Sequence, residues 1–126
     1  MSDKKKILIV DDEPDVVEWL TVFFEENGYQ TIGAYDGKEG FEKAQEQKPD
    51  LISLDISMEG ESGVKMYKRL LESDDLKDIP VILVTGATPQ LQNFFERLKD
   101  LKSPEGFFEK PVDKDELLKK VQELIP

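Results

Sequence analysis

The segment Leu51-Ile52-Ser53-Leu54-Asp55 narrows the choice of fold more than any other. Its first four residues can fill a buried strand, and the strand runs directly into a carboxylate. Lys48-Pro49-Asp50 precedes it and Glu59-Gly60 follows, so the apolar run is short and bounded. A central parallel strand covered on both faces has this form. Ile7-Leu8-Ile9-Val10 repeats the pattern and ends in Asp11-Asp12-Glu13. Ligands of open parallel sheets bind beyond the carboxyl ends of the strands. Two apolar strands that finish in acid therefore predict one shared acidic pocket.

Strand and helix signals alternate along the chain, which predicts an α/β sheet. A first strand over 6–10 leads to a helix that Asp12 or Glu13 can cap, with Pro14 in its first turn. That helix carries Val16, Val17, Leu20, Phe23 and Phe24 at helical spacing and stops at Asn27-Gly28. A more polar second strand spans 29–34, and a helix over about 37–47 offers Phe41 and Ala44 as its apolar face. After the central strand, Gly63 opens a helix bearing Val64, Met66, Tyr67, Leu70 and Leu71. Residues 79–84 form a fourth strand that ends in Thr85-Gly86. A helix from near Pro89 aligns Leu91, Phe94, Phe95, Leu98 and Leu101 in one stripe. Gly106-Phe107-Phe108 is a short fifth strand before Lys110-Pro111, and a last helix over about 113–125 carries Leu117, Leu118, Val121, Leu124 and Ile125 inward or flanking. Right-handed crossovers join these units into a doubly wound five-stranded parallel sheet. The polar second strand suits an edge, so the expected order is 2-1-3-4-5, with the acidic ends at its switch point. One domain over 1–126 is expected, with no repeat and no linker.

Charge and composition exclude several chemistries. Asp and Glu number 28 against 17 Lys and Arg, a formal −11. A phosphate backbone would repel that surface, so no direct nucleic-acid contact is expected. Neither cysteine nor histidine occurs. Disulfides, thiolate chemistry, Ser-His catalysis and nitrogen- or sulfur-ligated zinc are thereby excluded. Any metal bound must be a hard cation held by oxygen, and Mg²⁺ is the natural candidate. No apolar run reaches membrane-spanning length and no signal-peptide core is present, so the cytoplasm is the expected location and no membrane partner is expected.

Asp11, Asp12 and Asp55 should come within a few ångströms of one another, where a divalent cation relieves their repulsion. The other strand ends bring a hydroxyl, Thr85, and an ammonium, Lys110. A cation, a lysine and a hydroxyl around a carboxylate can handle phosphoryl oxygens, and an aspartate can itself become the phosphorylated nucleophile.

The motifs fall in a known order. Ile9-Val10-Asp11-Asp12-Glu13-Pro14 supplies an acidic pair after the first strand, and Asp55 through Met58 to Gly63 a loop that opens on a carboxylate. Thr85-Gly86-Ala87 gives a hydroxyl followed by small residues, and Phe107 through Lys110-Pro111 an aromatic and a lysine-proline pair. In this order and at these spacings the chain resembles the receiver domain of response regulators in two-component signalling, with a flavodoxin-like three-layer sandwich akin to the single-domain chemotaxis regulator. The resemblance implies phosphorylation of Asp55, with Mg²⁺ held by Asp12, by Asp11 through water, by Asp55 and by the main-chain carbonyl of Ser57. It implies that Lys110 pairs with Asp55 and then with the phosphoryl group, and that the Lys110-Pro111 peptide is cis. Thr85 and Phe107 become the switch, turning inward together and altering the face made by the fourth helix, fifth strand and fifth helix. The donor would be a histidine kinase or histidine-phosphotransfer protein, and the chain a phosphoacceptor that assists its own phosphorylation and dephosphorylation rather than a turnover enzyme. Val16 and Trp19, on a face of the first helix offset from its core stripe, are the expected docking residues.

The chain departs from the family in having Glu59-Gly60 where proline commonly follows the loop methionine, and in a longer span from Thr85 to Lys110. Ser103-Pro104-Glu105-Gly106 replaces small residues, so the output face is expected to be particular to this chain. Three other readings compete. A degenerate receiver that binds partners without phosphorylation would not need the full set of site residues. An aspartyl phosphatase would need a second aspartate where Ser57 stands. A flavin mononucleotide carrier would need a Ser/Thr/Gly-rich loop after the first strand.

Overall fold

The apolar runs form the expected strands, and their order across the sheet is β2-β1-β3-β4-β5, all parallel. A computed structural model of the chain describes residues 4–58, 62–86, 96 and 100–126. Among these the elements are β1 (Lys6–Val10), α1 (Pro14–Glu26), β2 (Gln30–Ala34), α2 (Gly37–Gln47), β3 (Leu51–Leu54), α3 (Ser62–Glu72), β4 (Val81–Thr85), β5 (Gly106–Glu109) and α4 (Lys114–Leu124). Most of the helix expected from near Pro89 lies outside the described residues, and of its apolar stripe only Leu101 is among them.

Successive side chains of a strand leave opposite faces of the sheet, and both faces here are apolar. Leu8, Val10, Ile52, Leu54, Val81 and Leu83 pack with Phe41 of α2 and with Met66 and Leu70 of α3. Ile7, Ile9, Leu51, Ile82 and Val84 pack with Val17, Leu20 and Phe24 of α1 and with Leu117 and Val121 of α4. The result is a three-layer sandwich, and full burial of each such side chain contributes about 1.5–3 kcal/mol. Val16 and Phe23 of α1 are only partly buried, at the margin of the second cluster.

The element ends follow local chemistry. β4 begins at Val81 rather than Ile79, since Pro80 has no N–H for the ladder; its carbonyl instead accepts the Ile52 N–H at 3.0 Å. Asp113 caps α4, its Oδ1 accepting the N–H groups of Asp115 and Glu116 at 3.0 and 3.1 Å. Gly28 follows the end of α1 at φ +93°, a conformation that favours glycine. At the start of α3 a Cβ on Gly63 would stand 2.6 Å from the Asp55 carbonyl oxygen, so glycine lets this helix approach the main chain of the loop.

Candidate functional site

Among the described residues the buried polar side chains are Asp11, Ser53, Asp55 and Thr85. Three of these four gather at the carboxyl edge of the sheet, and backbone pairing puts them there. Val10 lies opposite Leu54, so Asp11 and Asp55 leave adjacent strands side by side. The Asp55 N–H donates to the Val10 carbonyl at 3.0 Å. Thr85 closes β4, and its carbonyl accepts the Lys110 N–H at 2.9 Å, bringing the lysine to the same edge.

Asp55 is held unequally at its two oxygens. Oδ1 accepts the Thr85 hydroxyl at 2.6 Å, the Ser57 hydroxyl at 2.6 Å and the Ser57 N–H at 2.8 Å. Oδ2 faces Lys110 Nζ at 3.4 Å. Lys110 makes shorter contacts on the other side, to Asp11 Oδ2 at 2.8 Å and Glu13 Oε1 at 3.2 Å. Asp11 Oδ1 in turn accepts the Glu13 N–H at 2.9 Å. The lysine thus bridges the acidic ends of β1 and β3, its shortest bond being to Asp11 rather than Asp55.

Burial raises the Asp11 pKa to about 6, and the Asp55 charge adds to the rise, while the hydrogen bonds from Lys110 and the Glu13 N–H oppose it. Burial disfavours the Lys110 ammonium, but its hydrogen bond to Asp11 and the charges of Asp55 and Asp11 outweigh this and raise its pKa above the ordinary value. Burial, more than the neighbouring charge, thus sets the Asp11 carboxyl above its ordinary range. Carboxylate oxygens of Asp11, Asp12, Glu13 and Asp55 lie within 4.8 Å of one another. Oxygen donors alone, at this density, fit a hard divalent cation such as Mg²⁺.

The remaining predicted positions fall around this edge. The Lys110-Pro111 peptide is cis. Phe107 turns outward, 39% exposed, while Thr85 is fully buried with its hydroxyl already on Asp55. Val16 and Trp19 line an apolar groove of about 350 Å³ beside the site, with Val84, Lys110, Pro111 and Val112. Trp19 stacks on Phe23, and Lys114 Nζ lies 5.4 Å from its ring centroid. Among the described residues no helix is long and apolar enough to cross a membrane.

Sequence reasoning missed two contacts. Ser57 was expected to act through its carbonyl, yet its hydroxyl also binds Asp55. Glu13 was expected only as a candidate cap of the first helix, yet its side chain makes no cap and its carboxylate reaches Lys110. A small hydroxyl residue two places after the acceptor and a third acid after the acidic pair were the available signals.

Comparison with known proteins agrees with this geometry. The model of the response regulator receiver domain matches residues 7–122. Protein PilH of Pseudomonas aeruginosa is 32% identical over 120 residues, covering 95% of this chain and 97% of PilH. The receiver domain of a signal transduction histidine kinase from Syntrophus aciditrophicus has a TM-score of 0.82 at 33% identity, over 96% of this chain and 89% of that one. Chemotaxis protein CheY4 of Vibrio cholerae has the same fold, with a TM-score of 0.81 at 24% identity, over 97% of this chain and 99% of that one. The chain spans half or less of several transcriptional regulators that it also matches. With its sheet order, its acidic strand ends and its lysine on the fifth strand's exit, the chain belongs to the response-regulator receiver domains of two-component signalling.

Proposed function

We propose that the chain is a cytoplasmic phosphoacceptor that receives a phosphoryl group on Asp55 from a histidine kinase or histidine-phosphotransfer protein. The observation that carries this reading is the unequal hold on Asp55. Among the described residues Oδ1 is engaged by three donors, whereas Oδ2 meets only the more distant Lys110. Oδ2 is then the oxygen that forms the new bond to phosphorus, as the bond from phosphorus to the partner's imidazole nitrogen breaks and its electron pair returns to the ring. Lys110 neutralises charge on the transferred group, and the Thr85 and Ser57 hydroxyls are within reach of its oxygens. Asp11, Asp12, Asp55 and the Ser57 carbonyl would hold Mg²⁺, which supplies charge neutralisation for a group of about −1.5 to −2. The same side chains would assist hydrolysis of the aspartyl-phosphate. The full set of site side chains supports this reading over a degenerate, phosphorylation-independent module.

The groove at Val16 and Trp19 is the docking surface for the donor in this reading, since it is apolar and opens beside Lys110. Thr85 and Phe107 form the switch toward a downstream protein or effector domain. Treatment with acetyl phosphate and Mg²⁺, followed by mapping of the modified residue, tests the proposal. Label on Asp55, lost when the cation is omitted, is expected. Label on Asp11 or Asp12 with Asp55 intact would overturn it.

A further inference from the structure

Glu13 occupies the N-cap of α1, yet its side chain makes no capping hydrogen bond. An N-cap side chain ordinarily satisfies the free N–H groups of the first turn. The Glu13 carboxylate instead reaches Lys110 Nζ at 3.2 Å, across a sequence separation of 97 residues. Its backbone is fixed for this reach, because the Glu13 N–H is bound to Asp11 Oδ1. Lys110 is thereby drawn toward the α1 side of the pocket, 2.8 Å from Asp11 and 3.2 Å from Glu13, and stands 3.4 Å from Asp55 Oδ2.

These contacts compete with the lysine's later task. A phosphoryl group on Asp55 needs the ammonium, and any interaction stronger in the unphosphorylated arrangement opposes the shift. Asp11 is buried and belongs to the set that would hold the cation, whereas Glu13 stands at the rim with its side chain 63% exposed. We infer that Glu13 is a positioning residue, which restrains Lys110 on the α1 side and competes with the phosphoryl group for it. This rests on the phosphoacceptor reading of Asp55 and adds a regulator of the same site.

Two substitutions test it. Glu13→Gln removes the charge, and Glu13→Asp keeps the charge but shortens the reach. In metal-free protein, the NMR resonance of the Lys110 ammonium is expected to move in both variants. With Mg²⁺ present, both should bind beryllium trifluoride, a phosphoryl analogue, about two- to fivefold more tightly than the unsubstituted protein, the range that a partly exposed ion pair supports. An unmoved Lys110 resonance would overturn the grip of Glu13 on the lysine. Glu13→Asp that binds the analogue like the unsubstituted protein would show that charge alone matters, and would overturn the positioning role. Failure of the unsubstituted protein to bind the analogue would instead overturn the phosphoacceptor reading, and the competition with it.

Discussion

The phenol of Tyr67 is buried where α3 meets the segment leading into β5, and its hydroxyl donates to the Lys102 carbonyl. Burial, with a smaller push from the Glu105 charge, raises its pKa from 10.0 to about 12. A phenol whose folded pKa is raised holds its proton more tightly folded than unfolded. Its contribution to stability is complete below the unfolded pKa of 10.0 and is lost as pH rises to about 12. A two-unit shift corresponds to about 3 kcal/mol at most. Tyr67→Phe should lower stability by about 1–2 kcal/mol at neutral pH, because the Lys102 carbonyl loses its partner. Urea unfolding of both proteins across the alkaline range should find the gap narrowing as pH rises. A constant gap would mean that Tyr67 titrates like an exposed tyrosine.

The elements join the carboxyl edge of the sheet to the rest of the molecule through close contacts. At Gly63 an alanine Cβ would lie 2.6 Å from the Asp55 carbonyl oxygen and 2.7 Å from Ile56 Cα. Helix propensity favours the alanine by about 1 kcal/mol, but the neighbours are main-chain atoms, and overpacking of this kind costs about 1–3 kcal/mol. Gly63→Ala is therefore expected to lower the urea midpoint and to shift the amide resonances of Asp55 and Ile56. A raised midpoint would show that α3 has room to retreat. On the opposite layer, α1 presents Trp19 to the groove beside Lys110. Trp19→Ala should slow phosphotransfer from a partner at least about tenfold while leaving acetyl phosphate labelling intact, since buried aromatic anchors dominate interface energies. Equal slowing with both donors would put the effect in the pocket rather than in docking.

At the scale of the whole molecule, the sheet divides the core into two separately packed sides and, among the described residues, collects three of its four buried polar side chains at one edge. Phosphorylation at that edge matters elsewhere only if two arrangements hold the new charge differently. Moving a population from 1:99 to 99:1 requires about 5.5 kcal/mol, and a charge-assisted bond from Thr85 supplies about 1.5–3 kcal/mol. Thr85→Ala should therefore still be labelled at Asp55, where both Ser57 donors remain, yet show a smaller change at Phe107 when a phosphoryl analogue binds. NMR of the Phe107 ring reads that change, and a full-sized response would assign the switch to other residues. Much of this architecture was legible in the residues. Ile7 to Val10 and Leu51 to Leu54 read as buried strands because both faces of each are apolar, and their acidic ends then had to converge. The reach of Glu13 to Lys110 was not legible, since no local spacing encodes a contact between the two ends of the chain. Nor was the inward Thr85 beside an outward Phe107, which depends on side-chain rotation rather than on sequence pattern.

The position of Trp19 has a practical consequence. It is the chain's single tryptophan, and it sits in the groove with Lys114 5.4 Å from its ring centroid. Indole emission of this protein, excited at the red edge where its three tyrosines do not absorb, therefore originates at one surface feature. An occupant entering the groove would change the polarity around the indole and displace the neighbouring ammonium, and both events alter the colour and intensity of the emitted light. The affinity of any occupant of this groove can thus be titrated on the unlabelled protein, with the molecule serving as its own optical probe.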